Sequence, residues 1–414
     1  CIFFNTQTVW PSYNALIPVI GTVLILVANS NNSFLTKNRL CQWLGNTSYS
    51  IYLWHWPIVF IMYYFYKDNN ILFNILGICL SLFLGFISYL WIENPTRKYL
   101  SKLNIKQIYI FWFSSIVVVS SICYLIYNSN GYPTRWSKDI QNYHTILRGK
   151  NPRGGLCITN VDDIHAKKCT YGNGDVKLIV IGDSHSNALL NGVIHSLPKN
   201  SSLIHWWIPN CATVIGLKRK DNPSYNCGVL VEEIIKDAKE YKDIPVLIIN
   251  RSNALFLGQP ENESLTSPVR YILNPHSSYD RSYIDEMTKG YLNTIKKIRE
   301  NHPVFITTPL PEANVNIPTY MSKLVAYNIG NVDNLKLSNK DYMDRSKYTY
   351  KVLNIAKNQL NVKIIDIHQK ICDKEFCYFS DNNGPLYMDD DHFSWNRSLI
   401  FSEVFSKEIF NNNL

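Results

Sequence analysis

The chain has 414 residues, room for two or three domains, and carries a net charge of +9. The first 130 residues hold seven basic residues (Lys37, Arg39, Lys67, Arg97, Lys98, Lys102, Lys106) and two acidic ones (Asp68, Glu93); the rest is close to neutral. A basic excess confined to short loops between apolar runs excludes a nucleic-acid surface as its explanation and points to membrane topology.

Cys1 is not preceded by an initiator Met, a basic n-region or a small-residue cleavage site, so the chain is expected to begin inside a larger protein. Four apolar runs follow, at 13–28, 48–66, 71–92 and 107–127, and the last two contain no charged residue. A helix rises about 1.5 Å per residue, so about 20 residues span the roughly 30 Å hydrocarbon layer. Pro18 interrupts the first run; the second holds His55 and Pro57 among many aromatics, which predicts a kinked or bundle-packed helix. Four such runs exceed what one soluble core needs. The expectation is a partial all-α transmembrane bundle over 1–127. The basic loops 31–47 and 93–106 should face the cytoplasm, with 67–70 and everything after 127 on the other side. The chain is then a multi-pass protein of the inner (cytoplasmic) membrane. Its carboxy-terminal part is periplasmic or extracytoplasmic, its surroundings include the lipid bilayer, and nucleic acid is not among its partners.

Six cysteines of the outer part fall in local pairs: Cys157 and Cys169, Cys211 and Cys227, Cys372 and Cys377. An even count in an oxidising compartment reads as disulfides, with nearest neighbours joined. No CxxC occurs, and no histidine sits at zinc-like spacing from these cysteines, which disfavours a metal cluster.

Residues 128–175 read as a linker and lead-in with turn signals such as Asn130-Gly131 and Gly154-Gly155, and with little regular structure expected. Strands are predicted at 176–181, 203–208, 244–249, 303–307 and 362–367. Helices are predicted at 187–197, 227–242, 283–300, 348–359 and 401–410. Alternating strands and helices over 176–414 imply an α/β domain whose parallel sheet is covered on both faces, as in a flavodoxin-like three-layer sandwich.

Gly182-Asp183-Ser184-His185 stands where the first strand hands over to a helix. A serine there faces the crevice at the carboxyl ends of the strands, beside the unpaired N–H groups of a helix start. It is equally the position of an ordinary N-cap. A serine hydroxyl needs a base to become a nucleophile. The last part of the chain offers one in Asp389-Asp390-Asp391-His392, where Asp389, three residues before His392, can orient the imidazole. The competing reading of this run is an acidic turn that binds Ca²⁺, although no EF-hand spacing follows.

These two blocks resemble the first and last motifs of the SGNH (GDSL-like) hydrolase family. The resemblance implies Ser184 as nucleophile, with Asp389 and His392 completing the triad. The segment Leu44-Gly45-Asn46-Thr47-Ser48-Tyr49-Ser50-Ile51-Tyr52-Leu53-Trp54-His55-Trp56-Pro57, and the run ending Glu93-Asn94-Pro95-Thr96-Arg97, resemble late helices of the acyltransferase-3 family of membrane O-acyltransferases. Together they resemble the fused type, which implies O-acylation of a surface polysaccharide such as lipopolysaccharide O-antigen. It also implies acetyl-CoA as donor to the full-length membrane system, no cofactor bound by the SGNH domain, and a polysaccharide or lipid-linked glycan acceptor. The early helices of the acyltransferase-3 bundle are missing from this chain and count among its expected partners.

The Gly-x-Asn block of SGNH enzymes has no clean match here. After the strand at 244–249 the chain reads Asn250-Arg251-Ser252-Asn253, and the fused subfamily resembles it in having an Arg, which implies Arg251 as a donor to substrate or oxyanion. The alternative is an Arg salt-bridged at the strand end. A second donor is expected near Asn210 or Cys211. His55 reads either as a functional membrane histidine or as a packing element, and His185 as shaping the pocket mouth. The resulting expectation is acyl transfer through an acyl-serine; a carbohydrate O-acetyl esterase and a non-catalytic, membrane-anchored glycan-binding protein are the alternatives.

Overall fold

The computed structural model describes residues 12–28, 37–65, 70–260 and 268–411. Most of the expected outer loop at 67–70, and residues 31–36 of the expected cytoplasmic loop at 31–47, lie outside these described residues. The chain forms two compact units, Cys1–Gly131 and Tyr132–Leu414.

The first unit is helical: α1 (Leu16–Ala28), α2 (Arg39–Tyr64), α3 (Ile71–Ser88), α4 (Asn94–Leu100) and α5 (Ile105–Asn128). A π-helical turn, Tyr89–Glu93, joins α3 to α4. Among the described residues two stretches are long and apolar enough to cross a membrane, Ile71–Leu100 and Ile105–Asn128. α2 begins at Arg39, well before the expected apolar run, because the Asn38 side chain caps it by accepting from Leu40 N at 2.8 Å. The segment expected as a basic loop at 93–106 is in large part α4, with Arg97 and Lys98 in its last turn, where cations favour a helix. α2 and α3 approach closely through small residues: a Cβ on Gly85 would lie 2.7 Å from Ile51 Cα. Glu93 accepts from Ser50 Oγ at 2.6 Å and pairs with Arg97 at 3.3 Å, which ties the π turn back to α2. His55 lies exposed on α2.

The second unit is an α/β sandwich. Its sheet contains β1 (Cys169–Gly172), β2 (Asp175–Gly182), β3 (Ser201–Trp207), β4 (Val246–Ile249), β5 (Val304–Thr307) and β6 (Lys363–Ile365), in the order β1-β3-β2-β4-β5-β6. The last five in that order are mutually parallel, and β1 adds an antiparallel edge against β3. This edge strand was not expected. Its four residues, Cys-Thr-Tyr-Gly, carry no apolar run, and its place is set by pairing and by the Cys157–Cys169 disulfide. Without it the parallel order is the flavodoxin-like 2-1-3-4-5.

Side chains alternate across the pleat. Ile179, Ile181, Ile204, Trp206, Ile248 and Ile306 face one core, with α8 (Cys227–Ala238), α10 (Arg281–Arg299) and α12 (Asn339–Leu360). Leu178, Val180, Leu203, Leu247, Ile249 and Phe305 face the other, with α7 (Ser184–Ile194), α11 (Ile317–Tyr327) and the closing segment around Phe401 and Phe405. Each such side chain, fully buried, contributes roughly 1.5–3 kcal/mol. Strands buried on both faces explain the unbroken apolar runs in the sequence.

Helices stand where none was expected: α6 (Lys138–Leu147), inside the supposed lead-in, α9 (Ser252–Leu257), just after β4, and α11, besides a single turn at Gly154–Cys157. α12 starts at Asn339, nine residues before the expected 348, because Ser338 Oγ caps it by accepting from Asp341 N at 3.0 Å. The last expected helix is a succession of short turns rather than one α-helix: 3-10 at Arg397–Phe401, α at Ser402–Phe405 and π at Ser406–Phe410. The disulfides join neighbours, as expected: Cys157–Cys169, Cys211–Cys227 and Cys372–Cys377.

Candidate active site

In a sheet of this order the chain leaves β2 in one direction for β3 and returns on the other side for β4. The crevice therefore opens at the carboxyl ends of β2 and β4. Gly182, the last residue of β2, makes the close approach possible there: a Cβ on it would lie 1.9 Å from Ile249 O. Asp183 caps α7. Its Oδ1 accepts from His185 N at 2.8 Å and its Oδ2 from Arg251 N at 2.7 Å, so one buried carboxylate ties the two strand ends together. Burial pushes the Asp183 carboxyl up, against the opposing pull of His185 and these two N–H donors. Ser184 is the first residue of α7 and stays partly exposed. α7 thus starts three residues earlier than its apolar periodicity indicates, because the cap at Asp183 defines the first turn.

His392 arrives from the far end of the chain. Tyr387 and Phe393 pair as a β-bridge, and their rings stack into a buried aromatic cluster with Phe379 and Phe401. The residues between them form a tight loop, closed by Met388 N donating to His392 O at 2.8 Å. Ala313 N donates to Asp390 O at 2.8 Å, which fixes the loop to the segment after β5. In that setting His392 Nε2 lies 2.7 Å from Ser184 Oγ. On the other side of the ring, Nδ1 lies 2.9 Å from Asp389 Oδ2. The structure therefore brings Ser184, His392 and Asp389 into one hydrogen-bonded line. Burial alone would lower the pKa of His392; the hydrogen bonds and charges of Asp389 and Asp391 outweigh it and hold the imidazole up at about 10.

Arg251 stands at the carboxyl end of β4, where its Nε meets Glu312 at 2.5 Å and its Nη1 meets Asp391 at 2.8 Å. Its Nη2 is buried without a hydrogen-bond partner among the described residues. Glu312 also accepts from Arg345 Nε at 2.5 Å, so a buried chain of alternating charge runs from Arg345 through Glu312 and Arg251 to Asp391. His185 is not at the pocket mouth. It is 5% exposed, its Nε2 lies 3.2 Å from Asp391, and its ring lies tilted against that of His392, centroids 4.8 Å apart.

Sequence reasoning missed Asp391, Glu312 and Arg345. Spacing favoured Asp389 within the acidic run, and nothing local marks a residue that reaches a histidine beside it. Glu312 had a usable signal, as an acid just beyond a strand end on the crevice side. Asn210 and Cys211 did not resolve into a donor: Asn210 O accepts from Tyr225 OH at 2.6 Å, and Cys211 is in a disulfide. Asp389, Asp390 and Asp391 lie close enough to share one ion. Yet the oxygens of Asp391 already meet His185, His392 and Arg251, and those of Asp389 meet His392 twice. Donors thus occupy most of the lone pairs that Asp389 and Asp391 could offer a cation.

Residues 156–407 match the family described as "SGNH domain (fused to AT3 domains)", and residues 2–90 match "Acyltransferase domain". A Staphylococcus aureus (strain MRSA252) protein named "Putative O-acetyltransferase SAR0937" is 26% identical over 224 residues, 48% of this chain and 36% of that protein. The peptidoglycan O-acetyltransferase OatA of Listeria monocytogenes is 30% identical over 87 residues, 20% of this chain and 14% of that protein. Among solved structures, the lipopolysaccharide acetyltransferase periplasmic domain of Salmonella ser. Paratyphi A aligns at 19% identity and a TM-score of 0.44, covering 65% of this chain and 97% of that one. The chain spans 36% of the length of the first of these relatives.

Proposed function

The chain belongs to the family of SGNH domains fused to AT3 domains, and on that premise we propose that it transfers an acyl group, in the first instance acetyl, to a hydroxyl of a cell-surface polysaccharide. The observation that carries this reading is the 2.7 Å contact between Ser184 Oγ and His392 Nε2, with Asp389 on the opposite side of the ring. Ser184 Oγ attacks the acyl carbonyl and gives its proton to His392 Nε2. The bond from carbonyl carbon to donor oxygen or sulfur breaks, and the imidazolium returns the proton to that leaving group. A sugar hydroxyl then gives its proton to Nε2 and attacks the acyl-serine ester, and Ser184 leaves reprotonated. The Ser184 N–H at the start of α7 faces the oxyanion. Arg251 Nη2 is the guanidinium nitrogen left over for a substrate oxygen, since Glu312 and Asp391 take the others.

In this reading acetyl-CoA supplies the membrane system on the cytoplasmic side, and the first unit passes the group across the bilayer together with helices of the longer protein. The second unit lies outside the inner membrane. Three disulfides support an oxidising location, and a relative named as a peptidoglycan O-acetyltransferase supports an envelope glycan as acceptor; lipopolysaccharide O-antigen is the acceptor implied by the resemblance to the fused type. The test incubates the purified chain with an acetyl-ester donor and a panel of envelope oligosaccharides, with S184A as control. Acetyl-sugar and free acetate are measured together. Acetyl-sugar formation that depends on Ser184 supports transfer; acetate alone from every donor and acceptor replaces it with esterase activity. Equal product from S184A removes the acyl-serine altogether.

A further inference from the structure

We infer that Ser186 and His205 are positioning residues: a buried relay from His205 through Ser186 holds the Asp183 carbonyl inward and so aims the Ser184 N–H at the oxyanion. This deepens the acyl-transfer reading and rests on it. Asp183 C=O and Ser184 N–H belong to one trans peptide and point in opposite directions, so whatever holds the carbonyl sets the direction of the N–H. Asp183 O accepts from Ser186 N at 3.1 Å, from Asn187 N at 3.4 Å and from Ser186 Oγ at 2.8 Å. The hydroxyl makes the shortest of these contacts. The Asp183 carboxylate takes no part in holding the carbonyl, since its oxygens accept from His185 N and Arg251 N.

Ser186 is held in turn from the sheet. His205 of β3 stands level with Val180 of β2, on the face that α7 covers. Its Nε2 lies 3.0 Å from Ser186 Oγ. With the hydroxyl proton given to Asp183 O, the imidazole must donate, which fixes its proton on Nε2. Burial pushes the His205 pKa down to about 3, so the ring stays neutral and the relay keeps one direction around neutral pH. Tyr171 of β1 meets the ring edge-on, centroids 6.2 Å apart, and Tyr171 OH accepts from Asn151 Nδ2 at 3.2 Å. Asn151 also donates to Asn187 Oδ1 at 2.7 Å, on the residue after Ser186. Gly182 packs against Ser186 from β2, where a Cβ would lie 2.8 Å from Ser186 Cβ. Ser186 and His205 are both fully buried. Apolar residues of like shape in both places would serve a core nearly as well, so the use of this polar pair lies in the carbonyl it holds.

The test compares the full chain in detergent with its S186A, H205L, H205Q and S184A variants. p-Nitrophenyl acetate is the acyl donor. Phenylboronic acid is the competing inhibitor, because its boron forms a tetrahedral adduct on Ser184 Oγ with an oxygen at the oxyanion position. The readouts are kcat, KM and Ki. Outright loss of an oxyanion donor costs about 10²–10³-fold, and a donor left in place but free to turn should cost S186A and H205L roughly 10–10²-fold in kcat/KM. Ki should rise by a similar factor. H205Q, whose side-chain amide can donate where Nε2–H did, should recover most of the loss. A pair that only supports the core gives another pattern: a smaller folded fraction lowers kcat and leaves KM and Ki as in wild type. That pattern overturns the inference, as does wild-type kcat and Ki in S186A, or an H205Q no better than H205L. If one of S186A and H205L does not fold, the other decides alone: Ki rising as kcat/KM falls supports the inference, and an unchanged Ki overturns it. S184A separates the two levels. An active S184A removes the acyl-serine reading itself, whereas a dead S184A beside an unaffected S186A removes only this inference.

Discussion

Gly182 and Ile249 set how closely β2 and β4 approach at the site: the space beside the glycine is filled by the Ile249 carbonyl oxygen, which a Cβ would meet at 1.9 Å. G182A therefore forces the strand ends apart, where Asp183 joins them through Arg251 N. The expected outcome is a destabilisation of about 3 kcal/mol or more, the range of overpacked and backbone-strained positions. Acyl-ester turnover should fall with it. A thermal melt and a turnover assay on the same preparation check this; a variant melting like wild type would contradict it.

Removing Ser184 or His392, the nucleophile and base of the proposed mechanism, is expected to stop the chemistry without unfolding the domain. S184A and H392A should each lose about 10³-fold or more in kcat, and the double variant little beyond either, because the groups act as a unit. Intact-mass measurement after brief exposure to an acetyl donor should find an acetyl adduct in wild type and none in S184A. An adduct persisting in S184A would assign the acyl group to another residue.

His392 gives the pH dependence its sign. Its folded pKa, about 10, lies above the ordinary histidine value of 6.5. The proton it holds thus stabilises the fold fully below pH ~6.5, and that contribution is lost as pH rises towards the folded value. Activity runs the other way, since the base must be neutral to accept a proton. Acyl-ester turnover is expected to climb from neutral pH towards about 10 while the melting temperature falls over the same window. A turnover plateau already reached at neutral pH would show that His392 is not held in this way.

The Cys211–Cys227 bond closes a stretch of 16 residues, and both cysteines are buried in the core that also holds Trp206. C211A/C227A is expected to cost about 3 kcal/mol, the loop-closure value for a loop of about 15 residues. Denaturant unfolding, followed by tryptophan fluorescence with and without reductant, measures it. Reductant should lower the midpoint of wild type by at least as much.

A polymeric acceptor needs room beyond the serine. A polar cavity of about 850 Å³ is lined by Asn142, Tyr143, Ser394, Asn396 and Arg397, part of it formed by the residues that follow the His392 loop. If sugar units occupy it, N142A/N396A should raise the KM for an oligosaccharide acceptor about tenfold, the effect of two lost hydrogen bonds. Hydrolysis of p-nitrophenyl acetate should not change. An unaltered acceptor KM would place the sugar elsewhere.

Much of this was legible from local signals. Doubly buried strands show themselves as apolar runs, the turn at Ser184 as glycine and aspartate before a helix, and the contact of His392 with Asp389 as a histidine three residues after an acid. What was not legible depends on long-range partners. β1 is defined by β3 and a disulfide rather than by its composition, and α6, although Ile140, Tyr143 and Ile146 recur at helical spacing, lies in a segment dense with turn signals. The start of α12 is set by one serine cap. Asp391 stands in the acidic run without a role of its own in the sequence, because a carboxylate adjacent to a histidine looks like a solvated neighbour until Arg251 and His185, distant in sequence, close around it.

The antiparallel strand β1 has a consequence for how the sheet meets other chains. Without it β3, fully buried along its seven residues, would present a flat row of unpaired amides to any passing chain. Covering that row with four residues, pinned by a covalent bond at Cys169 and ended at Gly172 in a left-handed conformation, leaves too little ladder for another strand to join. At the opposite margin β6 is only three residues long. Both borders of the sheet are thus poor templates for aggregation.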